Sequence, residues 1–586
     1  LEEEKNMIRK FLALGLAAIM VNPAIFASGN PLPAAAKGNN KNNAFGDTAT
    51  PIKHLVVIFG ENISFDHYFG TYPIAENPAG EPKFEARTGT PTVNGISNVL
   101  ASDNALLTRN PNFLNVTGNG TNAANPYRLD RTQALTNSNS HAYTNEQEAL
   151  HQGLVDLYPI STGAKGAPPN APPAVVLTKG MNMGYFDGNT VTALWNYAQH
   201  FALNDNSFGT QFGPSTVGVV NLVSGQTNGI AQNFPTTNIG SEVADGNGGF
   251  TLISDRDPFG DICSSKTSTV QMATRTVGDI LSSDGISWGS FMGGFDLTKI
   301  NPNGSTGCSR STVNPQIMAF ALANGDTTAQ ATASATVSDY VPHHSFFQYY
   351  ASTTNPNHTR PGSIAEIGHN GPANHEYDTH DFFDAINAGN FPAVSFLKAQ
   401  AFQDAHPGNS DPLDEQTFVT TVINFLQGTP YWKDTAVVIA YDDSDGWYDH
   451  QMPPIVNQSS SSSDALTTTA TTVSGVTTVT LSCGNGATAL PGNEGSAPAQ
   501  GRCGYAVRQP LLVISPWAKE NFVDHTLTDQ TSVLRFIEDN WLFGERTGPG
   551  SFDNIANSII NMFDFTNNRG EDGKLFLDPS TGLKMK

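Results

Sequence analysis

The stretch "HLVVIFGENISFDHYFGTYP" (His54–Pro73) opens with an unbroken apolar run, Leu55 to Phe59, closed by Gly60. A short run of this kind ended by a turn former reads as a strand buried on both faces, as in parallel sheets. Glu61 and Asn62 follow it at once. A carboxylate and an amide in that place either make the turn or hold a ligand.

The pattern recurs in "TAVVIAYDDSDGWYDH" (Thr435–His450), whose apolar run ends in Asp442 and Asp443. "AVVLT" (Ala174–Thr178) and "PLLVIS" (Pro510–Ser515) are further strand candidates, and "TALWNYAQHFAL" (Thr192–Leu203) and "TSVLRFIEDNWL" (Thr531–Leu542) read as helices. Apolar strands interleaved with helices predict an α/β domain with a largely parallel sheet. Segments near 85–140 and 225–335, rich in Asn, Gly and Thr, read as insertions. So does the Ser/Thr-rich segment near 456–500, which carries a hairpin signal at "TTVTLS" and otherwise reads as a solvated loop or an adhesive stalk. The chain divides into residues 1–28 and 29–50, taken up below, one domain over 51–565, and a C-terminal tail over 566–586.

Open α/β sheets bind ligands beyond the carboxyl ends of their strands. Glu61, Asn62, Asp442 and Asp443 fall at two such ends and offer the hard oxygen donors of a divalent cation, whose identity all-oxygen ligation leaves open. Either pair alone reads as a turn. The two together point to a metal site. "NDNSFGTQFGPSTVGVVNLVSG" (Asn204–Gly225) places Ser215 where a helix begins. It is there either an ordinary N-cap or, with its oxygen on a metal and the helix dipole behind it, a nucleophile toward an anion. His141, His343, His344 and His406 each read singly as surface or core residues, but a phosphoryl-transfer site needs cations and a proton donor. His344 or His406 is the expected donor. Asp445 with Gly446 reads as a turn, Asp449 and His450 as supports, and Arg508 stays outside the site.

The chain carries 53 acidic against 30 basic residues, a formal charge of −23, which excludes nucleic acid as its main partner. Met7, Arg9 and Lys10 precede an apolar run from Phe11 to Val21 that closes on "NPAIFAS", the layout of a secretory signal peptide over residues 1–28, with an uncharacteristic acidic "LEEEKN" lead. Residues 29–50 read as a flexible leader, and no other segment reads as a membrane span. Export, to the periplasm or the medium, follows, and four cysteines in an exported chain suggest two disulfides. Cys263 with Cys308 and Cys483 with Cys503 are the nearest pairs, although three connectivities are open.

"HLVVIFGENISFDHYFGTYP", "GPST", "YVPHHSFFQYYAST", "VVIAYDDSDGWYDHQMPP" and "RQPLLVISPWAKENFVDHTLTDQTSVLRFIEDNW" together resemble, in order and over most of the chain, the bacterial phosphoesterase family. That family joins non-haemolytic-type phospholipases C with respiratory-burst-inhibiting acid phosphatases. The resemblance implies an alkaline-phosphatase-like α/β/α sandwich. It also implies Glu61, Asn62, Ser215, Asp442 and Asp443 as ligands of a divalent metal, Ser215 as nucleophile, and His141, His344 and His406 lining a phosphate pocket. Phospholipase C members tend to show "GPT" leading into "PNR". Here "GPSTVGVVNL" puts Ser215 in that place without the Asn-Arg pair, which resembles the acid phosphatase branch and its phosphate monoesters. A one-residue shift would make Thr216 the nucleophile. The alternatives are a phospholipase C acting on lipid headgroups and a non-enzymatic surface protein.

Overall fold

The computed structural model describes residues 48–97, 105–164, 178–234, 241–473, 476–484 and 499–585. The signal-peptide segment, most of the leader and nearly all of the "AVVLT" strand candidate lie outside the described residues. The central strands, in chain order, are β1 (His54–Gly60), β2 (Ala202–Asn204), β3 (Trp288–Met292), β4 (Glu376–Asp378), β5 (Val394–Lys398), β6 (Thr435–Tyr441), β7 (Leu511–Ile514) and β8 (Phe522–Asp524). They form one eight-stranded sheet in the order β4-β3-β5-β1-β6-β7-β2-β8. All neighbours are parallel except the two pairs made by β7. The α/β class with a largely parallel sheet is thus observed.

Both apolar runs that signalled the fold are central. β1 and β6 are buried along their whole length, and their register runs from His54 opposite Thr435 to Gly60 opposite Tyr441. Parallel pairing in this register puts Glu61 and Asp442 side by side at one end of the sheet. One cluster of buried side chains, from Ile52 to Leu577, surrounds the sheet.

The helices that bear on the site are α1 (Tyr143–Leu150), α2 (Thr192–His200), α3 (Ser215–Ser224), α4 (Pro412–Gln427) and α5 (Thr531–Trp541). α2 is shorter than its sequence signal, because Ala202 and Leu203 enter β2. α4 starts sharply: Pro412 takes its first position, and the Asp411 side chain accepts from the backbone N–H groups of Leu413 and Asp414. α3 is buried at every residue, the mark of a helix enclosed on all sides.

Two segments contribute more to the core than their sequence patterns suggest. The segment 225–335, read as an insertion, supplies β3 to the central sheet, a strand whose apolar pattern is broken by Gly289 and Ser290. Residues 566–586, read as a tail, bury Leu575 and Leu577 in the main core, and Asn424 and Gln427 of α4 hydrogen-bond the backbone of both. The hairpin signal is present as strands Thr467–Val473 and Val476–Ser482, paired antiparallel. Cysteines pair with their nearest partners, Cys263 with Cys308 and Cys483 with Cys503.

α3 meets β6 through Gly218. A Cβ there would lie 2.3 Å from the carbonyl oxygen of Asp442, closer than real atoms approach. Gly218→Ala raises helix propensity by about 1 kcal/mol in isolation. In this contact it is expected to destabilise the protein by about 1–3 kcal/mol through overpacking, read from urea unfolding. Burial also acts on carboxyl groups remote from the strand ends. It pushes Glu376 of β4 up to about 8, and Glu415 of α4 up to about 7 although the Tyr441 and Tyr68 hydroxyls pull it down. A carboxyl that binds its proton more tightly when folded gives stability that is complete below the ordinary value of 4.5 and lost as pH rises through 7 to 8. The melting temperature is therefore expected to fall between pH 5 and pH 8, and Glu376→Gln to flatten that slope.

Candidate active site

Beyond the carboxyl ends of β1 and β6 the predicted ligands converge on one hydroxyl. Ser215 Oγ lies 3.0 Å from Glu61 Oε2, 3.3 Å from Asp443 Oδ2 and 3.4 Å from Asn62 Oδ1. Asp442 stands behind them, its Oδ1 accepting from the backbone N–H of Asn62 at 2.9 Å and of Asp443 at 2.7 Å. Asn62 is held at φ 65, in the left-handed region that non-glycine residues seldom enter. Such strain, on the order of 1–3 kcal/mol, persists where the surroundings impose it. Here the surroundings are Asp442 on the backbone and Asp445 Oδ1 on the side-chain amide, at 3.2 Å.

Ser215 is not the N-cap of α3. Pro214 takes that position, no side chain caps the helix, and Ser215 is its first residue, with its hydroxyl turned to the carboxylates. Thr216 is occupied elsewhere: its Oγ1 donates to Asp255 Oδ1 at 2.9 Å and its N–H to the same oxygen at 3.0 Å. The geometry therefore favours Ser215 over its neighbour as the reactive hydroxyl.

The donor set fits a hard divalent cation. Three oxygen acceptors surround one hydroxyl, which has one proton to give. The hydroxyl can satisfy one of them, and the remaining oxygens are hard donors of the kind a divalent ion takes. Glu61, Asn62, Ser215, Asp442 and Asp443 would hold such an ion.

A second layer was not foreseen in the sequence. Lys398, at the end of β5, is buried, pairs with Glu61 Oε1, and lies 3.4 Å from Asp442 Oδ2. Burial alone would lower this ammonium, but Glu61 and Asp442 carry it above the usual lysine value. Asp404 stands beside it, with Oδ2 3.6 Å from His344 Nδ1, and burial pushes its carboxyl up to about 8. The signal available for Lys398 was its place at the end of a strand, but Ser395 interrupts the apolar pattern of β5.

The three histidines gather at the rim of this cluster. His344 and His406 rings are 6.2 Å apart, and His141 and His406 rings 6.3 Å. His344 Nδ1 lies 3.2 Å from Glu61 Oε1. Burial and the cationic neighbours His343 and Lys398 hold His344 well below the usual histidine value. His406 is lowered by burial, which Asp445 only partly offsets. His141 goes the other way: burial would lower it, yet Asp443 and Asp445 carry it well above, with Asp445 Oδ1 3.2 Å from Nδ1. Of these three, His141 is the one whose surroundings favour the charged form, and it joins His344 and His406 as a candidate proton donor.

Asp445 does more than turn the chain. Its carboxylate accepts from Asn62 and Ser138 side chains and from the Asn139 N–H, so it orients a candidate ligand and the loop carrying His141 at once. Asp449 and His450 are supports, as expected. Asp449 accepts from the buried Arg508 at 3.0 Å, Arg508 also pairs with Asp66 at 3.1 Å, and His450 lies 2.6 Å from Asp66. Arg508 thus ties the two motif-bearing loops together from outside the cluster.

Residues 52–543 match the sequence profile described as the Phosphoesterase family. Among curated proteins, a non-hemolytic phospholipase C of Pseudomonas aeruginosa is 29% identical over 188 residues, 32% of this chain and 25% of that protein. The phospholipase C A of Mycobacterium tuberculosis is 21% identical over 499 residues, 83% of this chain and 72% of that protein. The match thus spans a quarter of the Pseudomonas protein's length. Among solved structures, a protein in the alkaline phosphatase superfamily from Vibrio parahaemolyticus is similar over 77% of this chain and 78% of its own, at 12% identity and a TM-score of 0.26, too low to carry an argument. With the profile covering most of its length, this chain belongs to the phosphoesterase family.

Proposed function

We propose that the protein is an exported, metal-dependent phosphoesterase that hydrolyses phosphate monoesters through a phosphoserine at Ser215. The observation that carries this reading is the convergence of Glu61, Asn62 and Asp443 on the Ser215 hydroxyl at the N-terminus of α3. A divalent ion bound by these residues and Asp442 supplies charge that lowers the pKa of an oxygen and neutralises a phosphoryl group.

The chain's own groups account for the remaining steps. The Ser215 proton is already directed at Glu61 Oε2, leaving the oxygen free to attack phosphorus in line while the ester oxygen departs. The first turn of α3 presents backbone N–H groups and the positive end of its dipole to the phosphoryl oxygens. His141, kept charged by Asp443 and Asp445, gives its proton to the departing alkoxide. His141, neutral after that transfer, takes a proton from water as the phosphoserine is hydrolysed, and Glu61 returns the proton it took to the departing Ser215 Oγ. His344, with Nδ1 3.2 Å from Glu61 Oε1, holds that carboxylate in place. Lys398 offsets the charge of Glu61 and Asp442 and keeps the acidic cluster together.

Serine rather than threonine in the nucleophile's place and the missing Asn-Arg pair favour the acid phosphatase reading. The names of the relatives favour a second reading, phospholipase C activity on diester headgroups. Inorganic phosphate released from p-nitrophenyl phosphate, set against phosphocholine released from phosphatidylcholine, separates the two, and neither product overturns both. Ser215→Ala is expected to lower kcat by more than about 10³-fold, beyond the loss of a single charge-stabilising donor, because the covalent route is gone. Near-normal turnover in this variant would refute the nucleophile. Asp443→Asn is expected to lose bound metal, read by elemental analysis of the purified protein, and equal metal content in variant and wild type would remove Asp443 from the ligand set.

A further inference from the structure

Glu146 is a carboxylate that the mechanism above does not use, and it is 2% exposed. It sits on α1, five residues beyond His141. One oxygen, Oε1, accepts from Ser444 Oγ at 2.5 Å, and the other, Oε2, accepts from the backbone N–H of Gly213 at 3.4 Å. These partners are 298 and 67 residues away in sequence, and each adjoins a functional group. Ser444 lies between Asp443 and Asp445 and accepts from the Gly446 N–H at 3.0 Å. Gly213 stands two residues before Ser215 at φ 122, a conformation open to glycine, and it sets the direction in which the chain enters α3.

A core packing role would be met by an apolar side chain of the same size. A buried carboxyl is retained here at a cost: burial pushes it up to about 7, against the pull of the Ser444 hydroxyl. It also has what an apolar residue lacks, two acceptor oxygens turned to two loops. The loop before the nucleophile, the loop of Asp443 and Asp445, and the helix following His141 meet at this one side chain.

We infer that Glu146 is a positioning residue for the reaction: by bridging Gly213 and Ser444 it sets the placement of Ser215 against Asp443. This rests on the proposed nucleophilic role of Ser215. Positional errors of about 1 Å in such a site cost up to about 10²-fold in rate without loss of binding.

The test is kcat and KM of Glu146→Ala, Glu146→Gln, Ser444→Ala and the Glu146→Ala/Ser444→Ala double variant, on whichever ester the wild type hydrolyses, with metal content measured on each. Glu146→Ala is expected to lower kcat by about tenfold or more with KM within about twofold of wild type and metal content unchanged. Glu146→Gln keeps an acceptor for Ser444 but presents an N–H to Gly213, so it should recover part of that loss. The double variant should be no slower than the slower single, because both changes break one bridge. If Glu146→Ala does not fold, Glu146→Gln, Ser444→Ala and their double variant decide on the same criteria. The inference is overturned if Glu146→Gln and Ser444→Ala turn over at wild-type rate, or if their losses multiply in combination. An inactive Ser215→Ala beside fully active Glu146 variants would defeat this inference alone, whereas an active Ser215→Ala would defeat the proposed mechanism.

Discussion

The closeness of α3 to the end of β6 is the constraint on which the site depends. Gly218 has no side chain, so the helix backbone rests against the backbone of Asp442. Everything on the first turn of α3 then sits within reach of the carboxylates that follow β1 and β6. The in-register parallel pairing of those strands supplies the other half of the alignment, because it brings residues 61 and 442 to one level without any contact between their side chains being needed. Backbone geometry is fixed by hydrogen bonds and sterics, so it tolerates the repulsion that clustered carboxylates would otherwise relieve by moving apart.

That repulsion is managed locally rather than by the protein's overall charge. Four acidic groups, Glu61, Asp404, Asp442 and Asp443, gather at the strand ends of a chain whose net charge is already −23. Lys398 answers Glu61 and Asp442 from within, while His141 answers Asp443 and Asp445 from the rim. Further out, the buried Arg508 balances Asp66 and Asp449 and keeps their charges from the centre. The pattern is of a cation placed beside each group of carboxylates, Lys398 within and His141 at the rim.

Much of this was legible in the sequence because two long apolar runs ended in oxygen-bearing residues. β1, β6 and β7 were visible from their hydrophobicity, and the ligand candidates followed from their position at the strand ends. β3 and β5 were not visible, since Gly289 and Ser290 in one and Ser395 in the other break the unbroken apolar run that marked β7. Lys398, Asp404 and Glu146 were missed because only the tertiary fold brings each of them to the residues that end β1 and β6. Nor could the surroundings of each histidine be read from spacing: His141 faces Asp443 and Asp445, carried on a loop that meets its own only in the fold, as the bond from Asn139 to Asp445, 306 residues on, shows.

The order of the polypeptide has a consequence for when the cluster at the strand ends can form. The backbone of Asn62 and the side chain of Asp442 that receives its hydrogen bond are 380 residues apart. A ribosome that has made the first strand must add most of the remaining chain before the second arrives. Until then Ser215 faces an incomplete set of oxygens, and the cluster at the strand ends is not assembled.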